Sequence, residues 1–415
     1  MAKVEARPEH KHILNDALLQ GLTDQLPRLA TAILSEKFAT QGVRLSPRHR
    51  KTLHACVVSQ DFSRFTLPAR TPRGLKKIKI AWTAKNSHRL EREAARLLKR
   101  LPDVVKAESE LLAKRIHRKL KSQWQAQSAG EERVLSAFRT RLCRRWRQPL
   151  EGLSMMLTIT REFSELVGAP LQEARTKENR HLIAVLTRLH ARACQVAHEI
   201  LTLLKDGFAD GAMARWRTLH EIAVVAMFVR DRGDAMAERY LLHDRVESYK
   251  AMLLYQKHAR RLGLKRMPAR KMRIVTASFN AMIAKFGKPF GSEFGWASET
   301  PTERPNFSEI EAKITVDHWR PYYKLASHNV HANPKGILFK MGLAPERDLL
   351  LTGPSNYGLA DPGQNTALTL NQVSAALGSV APTLDTNVFL KVLLTLSREV
   401  GDAFVLTQHR LERMR

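Results

Sequence analysis

Two histidines close to a predicted helix end form the pattern in this sequence that most resembles a catalytic site. His328 and His331 are three residues apart, a spacing that places both on one helical face. Tyr323 lies upstream, and Asn333 precedes a proline that must end the helix. Because imidazole exchanges protons near neutral pH, the pattern predicts acid–base chemistry or phosphate binding. The alternative left open is a structural helix end, where the helix dipole favours histidine.

A second pair of ionisable residues, Arg217 and Glu221, is spaced four residues apart in another predicted helix. One interpretation is a structural ion pair at a contact between helices. The other is a polar centre inside a helical bundle, facing His328 and His331, in which Tyr323 or His331 hydrogen-bonds the buried charges. In this second interpretation His331 or His328 is the general acid or base, and Arg217 holds phosphate.

The motifs of several other chemistries are missing from the sequence. Zinc sites need three or four ligands, and neither a His-Glu-x-x-His motif nor a cysteine cluster supplies them. The three cysteines, Cys56, Cys143 and Cys194, are far apart. The glycine patterns of phosphate-binding and dinucleotide-binding loops do not occur either. We therefore expect no metal and no cofactor.

The elements that must position these residues are helices, because apolar residues recur at a helical period and strand-like alternation is scarce. The clearest helical stripe comprises Val185, Leu189, Ala193, Val196, Ile200 and Leu203. This helix should end at Gly207, and Asp210 should cap a second, antiparallel helix that runs to about residue 230. Further helices are predicted over residues 234–263 and 270–286. Gly- and Pro-rich residues 290–307 and 341–364 predict two long loops.

The predicted fold class is therefore all-α, a multi-helix bundle with a basic helical N-terminal region and two long loops. We divide the chain into an N-terminal helical segment (1–69), a basic helical region (70–150) and a helical bundle (151–415). The first boundary is placed near Pro68 and Pro72, which interrupt the helical pattern.

Positive charge is concentrated in the N-terminal part of the chain. The 415 residues contain 69 Lys and Arg against 40 Asp and Glu, and residues 70–147 alone contain 23 against 7. Such an excess repels itself unless a polyanion neutralises it, so a nucleic acid is the expected partner. Trp82, Trp124 and Trp146 lie among these cations and either stack on bases or pack in a core. The candidate nucleic-acid-binding residues are Arg73, Lys76, Lys77, Lys79, Arg115, Arg118, Lys119, Arg144, Arg145 and Arg147.

The helical hairpin carries a family resemblance. The residues LHARACQVAHEILTLLKDGFADGAMARWRTLHEIAVVAMFV (189–229), together with YKLASHNVHANPKG (323–336), resemble a bacterial family known as domain of unknown function 5677. The resemblance is best over about 190–340 and looser over 110–400. It implies a fold and a bacterial origin, but no mechanism, because the family has no established activity. By analogy of fold alone, it is similar to nucleotide-acting helical domains of prokaryotic defence and toxin systems.

The expected function is nucleic-acid binding through the basic N-terminal region, with a metal-independent nuclease in a stress or phage-defence setting as the enzymatic version. The alternative is a non-enzymatic binding or scaffold protein that oligomerises through its helical bundle. Whether the protein is an enzyme stays open. The charged N-terminus has no secretory pattern, and the longest apolar run is residues 222–229, so we expect a cytoplasmic protein without membrane association.

Overall fold

The computed structural model describes residues 13–63, 65, 67, 80–300, 302–343 and 350–414, without the side chains of residues 13–23 and 108. Helices dominate these residues and no strand occurs among them, which confirms the all-α prediction. The chain divides into two compact units, Met1–Ala129 and Gly130–Arg415. Four predicted nucleic-acid contacts, Arg73, Lys76, Lys77 and Lys79, lie outside the described residues, as do Pro68 and Pro72.

The α-helices are, in chain order, α1 (Ile13–Thr40), α2 (Pro47–Ser59), α3 (Ala84–Arg145), α4 (Arg147–Glu173), α5 (Arg180–Lys205), α6 (Ala209–Arg232), α7 (Asp234–Leu242), α8 (Asp244–His258), α9 (Ala269–Phe286), α10 (Phe307–Lys313), α11 (Arg320–Val330), α12 (Pro334–Leu338), α13 (Ala360–Gly378) and α14 (Leu384–Arg413). Short 3-10 turns occur at Ala259–Leu262, Lys288–Gly291, Gly295–Ala297 and Asp317–Trp319. Within the described residues no helix is long and apolar enough to cross a membrane.

The first unit contains α1, α2 and residues 84–129 of α3. Its small core includes Leu34, Phe38 and Leu53, where α1 packs on α2. Ser46 begins α2 by accepting a hydrogen bond from the His49 backbone N–H, so the turn between the two helices is fixed. The α3 residues of this unit, in contrast, leave large apolar side chains such as Trp124 exposed.

The second unit is built around α13, which packs against α4, α5, α6 and α14. A helix surrounded by four others needs small residues, and α13 consists mostly of Ala, Gly, Ser, Thr and Leu. Its buried hydroxyls are satisfied by the helix itself: Thr366 donates to the Pro362 carbonyl oxygen and Ser374 to that of Leu370. At Gly363 a Cβ would lie 2.4 Å from the Phe404 ring, so only glycine allows α14 to approach this closely.

Helices α5 and α6 form the predicted hairpin. Gly207 joins them at φ +82°, a backbone conformation that favours glycine, and its carbonyl accepts a hydrogen bond from the Ser355 N–H. The predicted role of Asp210 as N-cap is wrong, because α6 begins at Ala209 with Phe208 at the N-cap position. Asp210 instead accepts a hydrogen bond from the Met341 backbone N–H at 3.1 Å.

Two further predictions about elements need correction. The single helix expected over residues 234–263 is two helices, α7 and α8, which meet at the buried His243. Residues 290–307 are a packed connection rather than an open loop, because Phe290 and Trp296 are buried in it. Arg239 fixes this connection by donating to the carbonyl oxygens of Gly295 and Trp296.

Candidate functional sites

Helices α6, α10 and α11 bring six polar side chains together, which we call the polar cluster. It comprises Arg217, His220, Glu221, Glu311, Arg320 and Tyr323. The short α10 begins with a capping box: the Asn306 side chain accepts a hydrogen bond from the Glu309 backbone N–H, and the Glu309 side chain accepts one from the Asn306 backbone N–H. Packing of α10 and α11 on α6 then sets the positions of the charged groups.

Tyr323 is the centre of the first half of the polar cluster. Arg217 Nη2 donates to the tyrosine hydroxyl at 2.8 Å, and the hydroxyl donates to Glu221 Oε1 at 2.7 Å. Arg217 also pairs directly with Glu221 at 3.2 Å, and its guanidinium lies 4.8 Å from the centre of the tyrosine ring. Burial and the neighbouring Glu221 raise the pKa of Tyr323 to about 12. The phenol therefore stays protonated at neutral pH and acts as a donor.

Glu311 is the centre of the second half. Its side chain is fully buried, and Oε1 lies 2.9 Å from His220 Nε2, which is itself almost fully buried. Arg320 donates to the other carboxylate oxygen at 2.5 Å and lies 5.0 Å from the centre of the Tyr323 ring. A buried carboxylate is tolerated only when both oxygens are bonded in this way. The two halves thus share the ring of Tyr323 between two guanidinium groups.

The predicted histidines are only partly placed as expected. Helix α11 ends at Val330, and His331 follows it in an extended conformation with an exposed side chain. The prediction that His328 and His331 share a helical face is therefore wrong, because the helix ends one residue too early. His328 Nδ1 bonds the Asn333 side chain at 2.7 Å. Among the contacts of the described residues, neither histidine bonds to the polar cluster.

The polar cluster nevertheless contains three of the five predicted catalytic residues: Arg217, Glu221 and Tyr323. Most of its polar groups bond one another, and the accessible side chains are Glu221, Arg320 and Arg217, which are 38%, 32% and 25% exposed. Arg217 Nε is buried and has no hydrogen-bond partner within the described residues. The arrangement can present a guanidinium and a phenol donor to an anion, at the cost of breaking the internal ion pair.

A second site lies between the end of α3 and the end of α14. Arg141, Arg144, Arg145 and Arg410 surround a groove of about 470 Å³, which we call the arginine groove. The buried Thr407 and Leu411 also line it. None of these four arginines forms an ion pair with an acidic side chain of the described residues. A groove lined by unpaired guanidinium groups is suited to phosphate oxygens, because the planar fork binds two oxygens at once.

The neighbouring arginines differ from those of the arginine groove. Arg139 pairs with Asp206 at 2.8 Å, and Arg147 pairs with Glu151 at 2.9 Å. Arg147, a predicted nucleic-acid contact, thus has a carboxylate beside it, whereas Arg144 and Arg145 do not. In this basic stretch, Arg139 and Arg147 thus pair with carboxylates of the protein, whereas Arg144 and Arg145 remain available to an anionic ligand.

The other predicted contacts are exposed on the α3 portion of the first unit. Arg115, Arg118 and Lys119 are all exposed and have no acidic partner among the described residues. Of the tryptophans among the cations, Trp146 is buried in the core, whereas Trp82 and Trp124 are 41% and 56% exposed. Exposed rings can stack on bases.

No group of three or more His, Cys, Asp or Glu side chains in the described residues is placed to hold a metal ion. The polar cluster offers one histidine and two glutamates, but Arg217 pairs with Glu221 and Arg320 pairs with Glu311. If one of these glutamates bound a metal ion, its arginine partner would lose its ion pair and its charge would be left unpaired.

Sequence reasoning missed three members of the polar cluster and two of the arginine groove. His220 could have been noticed, since it precedes Glu221 on a helix that is apolar beyond it. Glu311 and Arg320 carry no local signal, because they reach α6 only through packing. In the same way, nothing near Arg410 in the sequence indicates that it meets Arg144.

Comparison with known families confirms the resemblance. Residues 183–347 match the model of a family described as Family of unknown function (DUF5677). The matched segment contains the whole polar cluster, whereas the arginine groove lies outside it. Neither a curated protein nor a solved structure matches the chain.

Proposed function

Because the family match assigns no activity, we propose from the chain's own residues that the protein binds nucleic acid through its phosphate backbone. The observation that carries this proposal is the arginine groove, which four arginines line without an acidic partner among the described residues. Like charges that line one groove repel each other, and phosphate oxygens relieve the repulsion. The cytoplasm of a bacterial cell is the proposed setting.

The exposed cations of α3 in the first unit are the second component of the proposal. Lys114, Arg115, Arg118, Lys119 and Lys121 fall within eight residues that contain no acidic side chain. Phosphate contacts of this kind give affinity without sequence preference. We therefore propose binding that depends strongly on salt and weakly on base sequence.

The test measures affinity for a fluorescently labelled single-stranded RNA, and for DNA of the same sequence, across a range of salt concentrations. Each phosphate contact contributes about 0.7 to the slope of log affinity against log salt. Replacing Arg144, Arg145 and Arg410 together by glutamine should reduce the slope by about 2. A flat slope for the wild-type protein would overturn the proposal.

The matched control is Arg147→Gln, which removes an arginine of the same stretch that already has a carboxylate partner. Its slope should equal that of the wild type within error. Replacing Arg115, Arg118 and Lys119 by glutamine measures the contribution of α3 separately. If the control lowers the slope as much as the groove variant does, the binding follows total charge and the arginine groove has no special role.

A second candidate function is metal-independent phosphodiester cleavage at the polar cluster. The observation that favours it is the convergence of Arg217, Glu221 and Tyr323, with a buried and unused donor on Arg217. In this version Arg217 holds the phosphate, and His331 or His328 supplies the proton transfer from the adjoining segment. A stress or phage-defence role would follow from such an activity.

Incubation with labelled RNA or single-stranded DNA in the presence of EDTA tests this candidate. Wild type should shorten the substrate, and His331→Ala and Arg217→Gln should do so at least about 100-fold more slowly. Because His331 is exposed, its variant should remain folded. If wild type produces no cleavage, or His331→Ala cleaves equally fast, the catalytic assignment is wrong.

The non-enzymatic alternative is a scaffold that self-associates. Exposed apolar side chains on α3, among them Ile116, Leu120 and Trp124, favour it because large exposed apolar surface is usually covered in the functional state. Light scattering over a range of protein concentrations measures the mass directly. A mass of one chain at every concentration excludes this alternative.

A further inference from the structure

We infer that the turn between α8 and α9 is a second binding site for a nucleic-acid backbone. Residues 257–273 contain eight Lys and Arg and no Asp or Glu, and the acid-free stretch extends from Ser248 to Ser292. We call residues 257–273 the basic hairpin. Its cations are Lys257, Arg260, Arg261, Lys265, Arg266, Arg270, Lys271 and Arg273. This surface belongs to the second unit, whose charge is otherwise nearly balanced.

All eight cations of the basic hairpin are exposed. None of them forms an ion pair with an acidic side chain in the part of the chain that the structure describes. The flanking lysines behave differently: Lys250 pairs with Glu247 at 2.8 Å, and Lys285 pairs with Glu238 at 3.0 Å. Between these two paired lysines, the unpaired cations lie at the end of α8, in the turn and in the first turns of α9.

The turn that carries these charges has a defined structure. The rings of Tyr249 and Phe279 stack with their centres 4.2 Å apart, which joins α8 to α9. Gln256 donates from Nε2 to the Met267 carbonyl oxygen and accepts from the Met267 N–H, at 2.9 and 3.2 Å. Tyr255 donates its hydroxyl proton to the Lys265 carbonyl oxygen at 2.6 Å. The cations are thus held by a preorganised turn, which lowers the entropic cost of binding.

The solvent side of α9 indicates which polyanion fits. A shallow groove there is lined by Arg273, Thr276, Ala277 and Asn280, among others. Small and polar side chains beside Arg273 let a sugar-phosphate backbone approach closely and offer hydrogen bonds to its oxygens. A helix that inserts into a lipid surface instead needs a continuous apolar face.

An anionic lipid surface is the competing occupant, because a few large apolar side chains are exposed near the turn. Leu262 and Leu264 are 66% and 48% exposed, but Leu262 ends the short 3-10 turn, Leu264 follows it, and the two lie between Arg261 and Lys265. They do not form the segregated face of an interfacial helix. The balance of charge and shape therefore favours nucleic acid.

This inference rests on the proposed function only for the class of ligand, since the basic hairpin and the arginine groove have no residue in common. Binding through the hairpin can fail while binding through the groove succeeds, and the reverse. The experiment below keeps the two apart by changing one site at a time in the full chain.

The hairpin variant replaces Lys265, Arg266 and Arg270 by glutamine, and the control replaces the ion-paired Lys250 and Lys285. With the same labelled RNA, the hairpin variant should bind at least about tenfold more weakly, with a slope against salt reduced by about 2. The control should match the wild type. An unchanged slope in the hairpin variant, with a reduced slope in the groove variant, overturns this inference and leaves the proposed function intact.

Co-sedimentation with vesicles of phosphatidylcholine and phosphatidylglycerol separates the lipid occupant. Wild type and hairpin variant should sediment equally little at physiological salt. Strong sedimentation of the wild type that Leu262→Ser with Leu264→Ser abolishes, while RNA affinity stays unchanged in the hairpin variant, would assign the hairpin to a membrane. All of these positions are exposed except Lys250, which is half-buried, so circular dichroism should show an unchanged helical content.

Discussion

Arginine occurs in two contrasting settings in the second unit of this protein. In the polar cluster, Arg217 and Arg320 each bond a glutamate and lie against the ring of Tyr323. In the arginine groove, Arg144 and its neighbours line a cavity without an acidic partner among the described residues. Position in the fold, rather than residue type, decides whether a guanidinium group stabilises the bundle or is available to a ligand.

This contrast shows that a basic surface indicates a binding site only when the cations that already pair with carboxylates within the protein are left out of the count. Arg147 and Arg144 lie three residues apart in the sequence, but only Arg147 has a carboxylate beside it. Desolvated pairs contribute to folding, whereas exposed unpaired cations store repulsion that a polyanion relieves. The five predictions below test whether stability and binding separate between the two settings.

The largest expected effect is on folding. Glu311→Ala removes the carboxylate that bonds both His220 and Arg320 in a fully buried position. Leaving a buried charge unpaired costs about 3–5 kcal/mol of unfolding free energy. Urea unfolding followed by far-ultraviolet circular dichroism measures the loss. RNA affinity of the variant, measured at a temperature where it is folded, should equal that of the wild type.

Glu221→Ala is the matched control, because the Glu221 side chain is 38% exposed and should contribute only about 1 kcal/mol. A loss for Glu311→Ala as small as that for Glu221→Ala would show that the polar cluster contributes no more than a surface ion pair, and the comparison with the arginine groove would then fail.

The next largest effect is the pH dependence of folding, which should change stability without changing RNA binding. His190 is buried among Ser164, Ser374 and Cys194, and burial lowers its pKa to about 4. Below pH 6.5 the unfolded chain binds a proton that the folded chain does not, so stability falls between pH 6.5 and 4 and is unaffected above that window. The loss amounts to about 3 kcal/mol. Urea unfolding at several pH values measures it.

His190→Gln should flatten this pH dependence, because glutamine does not titrate. The charge of the arginine groove does not change in the same window, since guanidinium remains protonated. RNA affinity per folded molecule should therefore stay constant while stability falls. A variant that loses stability toward pH 4 as steeply as the wild type would show that other groups dominate acid unfolding.

The groove variant should give the intermediate effect, and on binding alone. Replacing Arg144, Arg145 and Arg410 by glutamine should weaken RNA binding by about tenfold or more at moderate salt. Its unfolding free energy should stay within about 0.5 kcal/mol of the wild type, since exposed substitutions rarely change stability further. A large loss of stability would mean that these arginines are structural.

A smaller effect is expected at the hydroxyl that joins the first half of the polar cluster. Tyr323→Phe keeps the ring between the two guanidinium groups and removes only the bonds to Arg217 and Glu221. The unfolding free energy should fall by about 1–2 kcal/mol. If cleavage of RNA occurs, its rate in this variant reports whether the phenol also contacts substrate. No change in the unfolding free energy or in the cleavage rate would show that Arg217 and Glu221 bond water as well as they bond the hydroxyl.

The smallest effect belongs to Arg147→Gln, which breaks an exposed pair one helical turn from Glu151. Stability should change by less than about 0.5 kcal/mol, and RNA affinity should change little. A change in stability or RNA affinity no larger than that of Arg147→Gln should therefore not be assigned to the polar cluster or to the arginine groove.

Much of the local structure follows from the amino-acid sequence. Apolar residues at helical spacing predicted α5, and the glycine at position 207 predicted the turn that leads into α6. The sequence also placed Arg217 and Glu221 on one face, because residues four apart in a helix are neighbours wherever the helix lies. These are short-range properties, set by backbone geometry and by which side chains avoid water.

The tertiary structure decided everything that depends on chain-distant contacts. It brought Glu311 and Tyr323 to α6, and it placed Arg410 beside Arg144. It also ended α11 at Val330, which separates His331 from the face that the spacing predicted. Charge can be counted along a sequence, and a pair within one helix, such as Arg147 with Glu151, follows from its spacing. A pair between helices, such as Arg139 with Asp206, depends on which helices pack together. For this protein that packing divides the arginines into those that hold the bundle and those that remain available to phosphate.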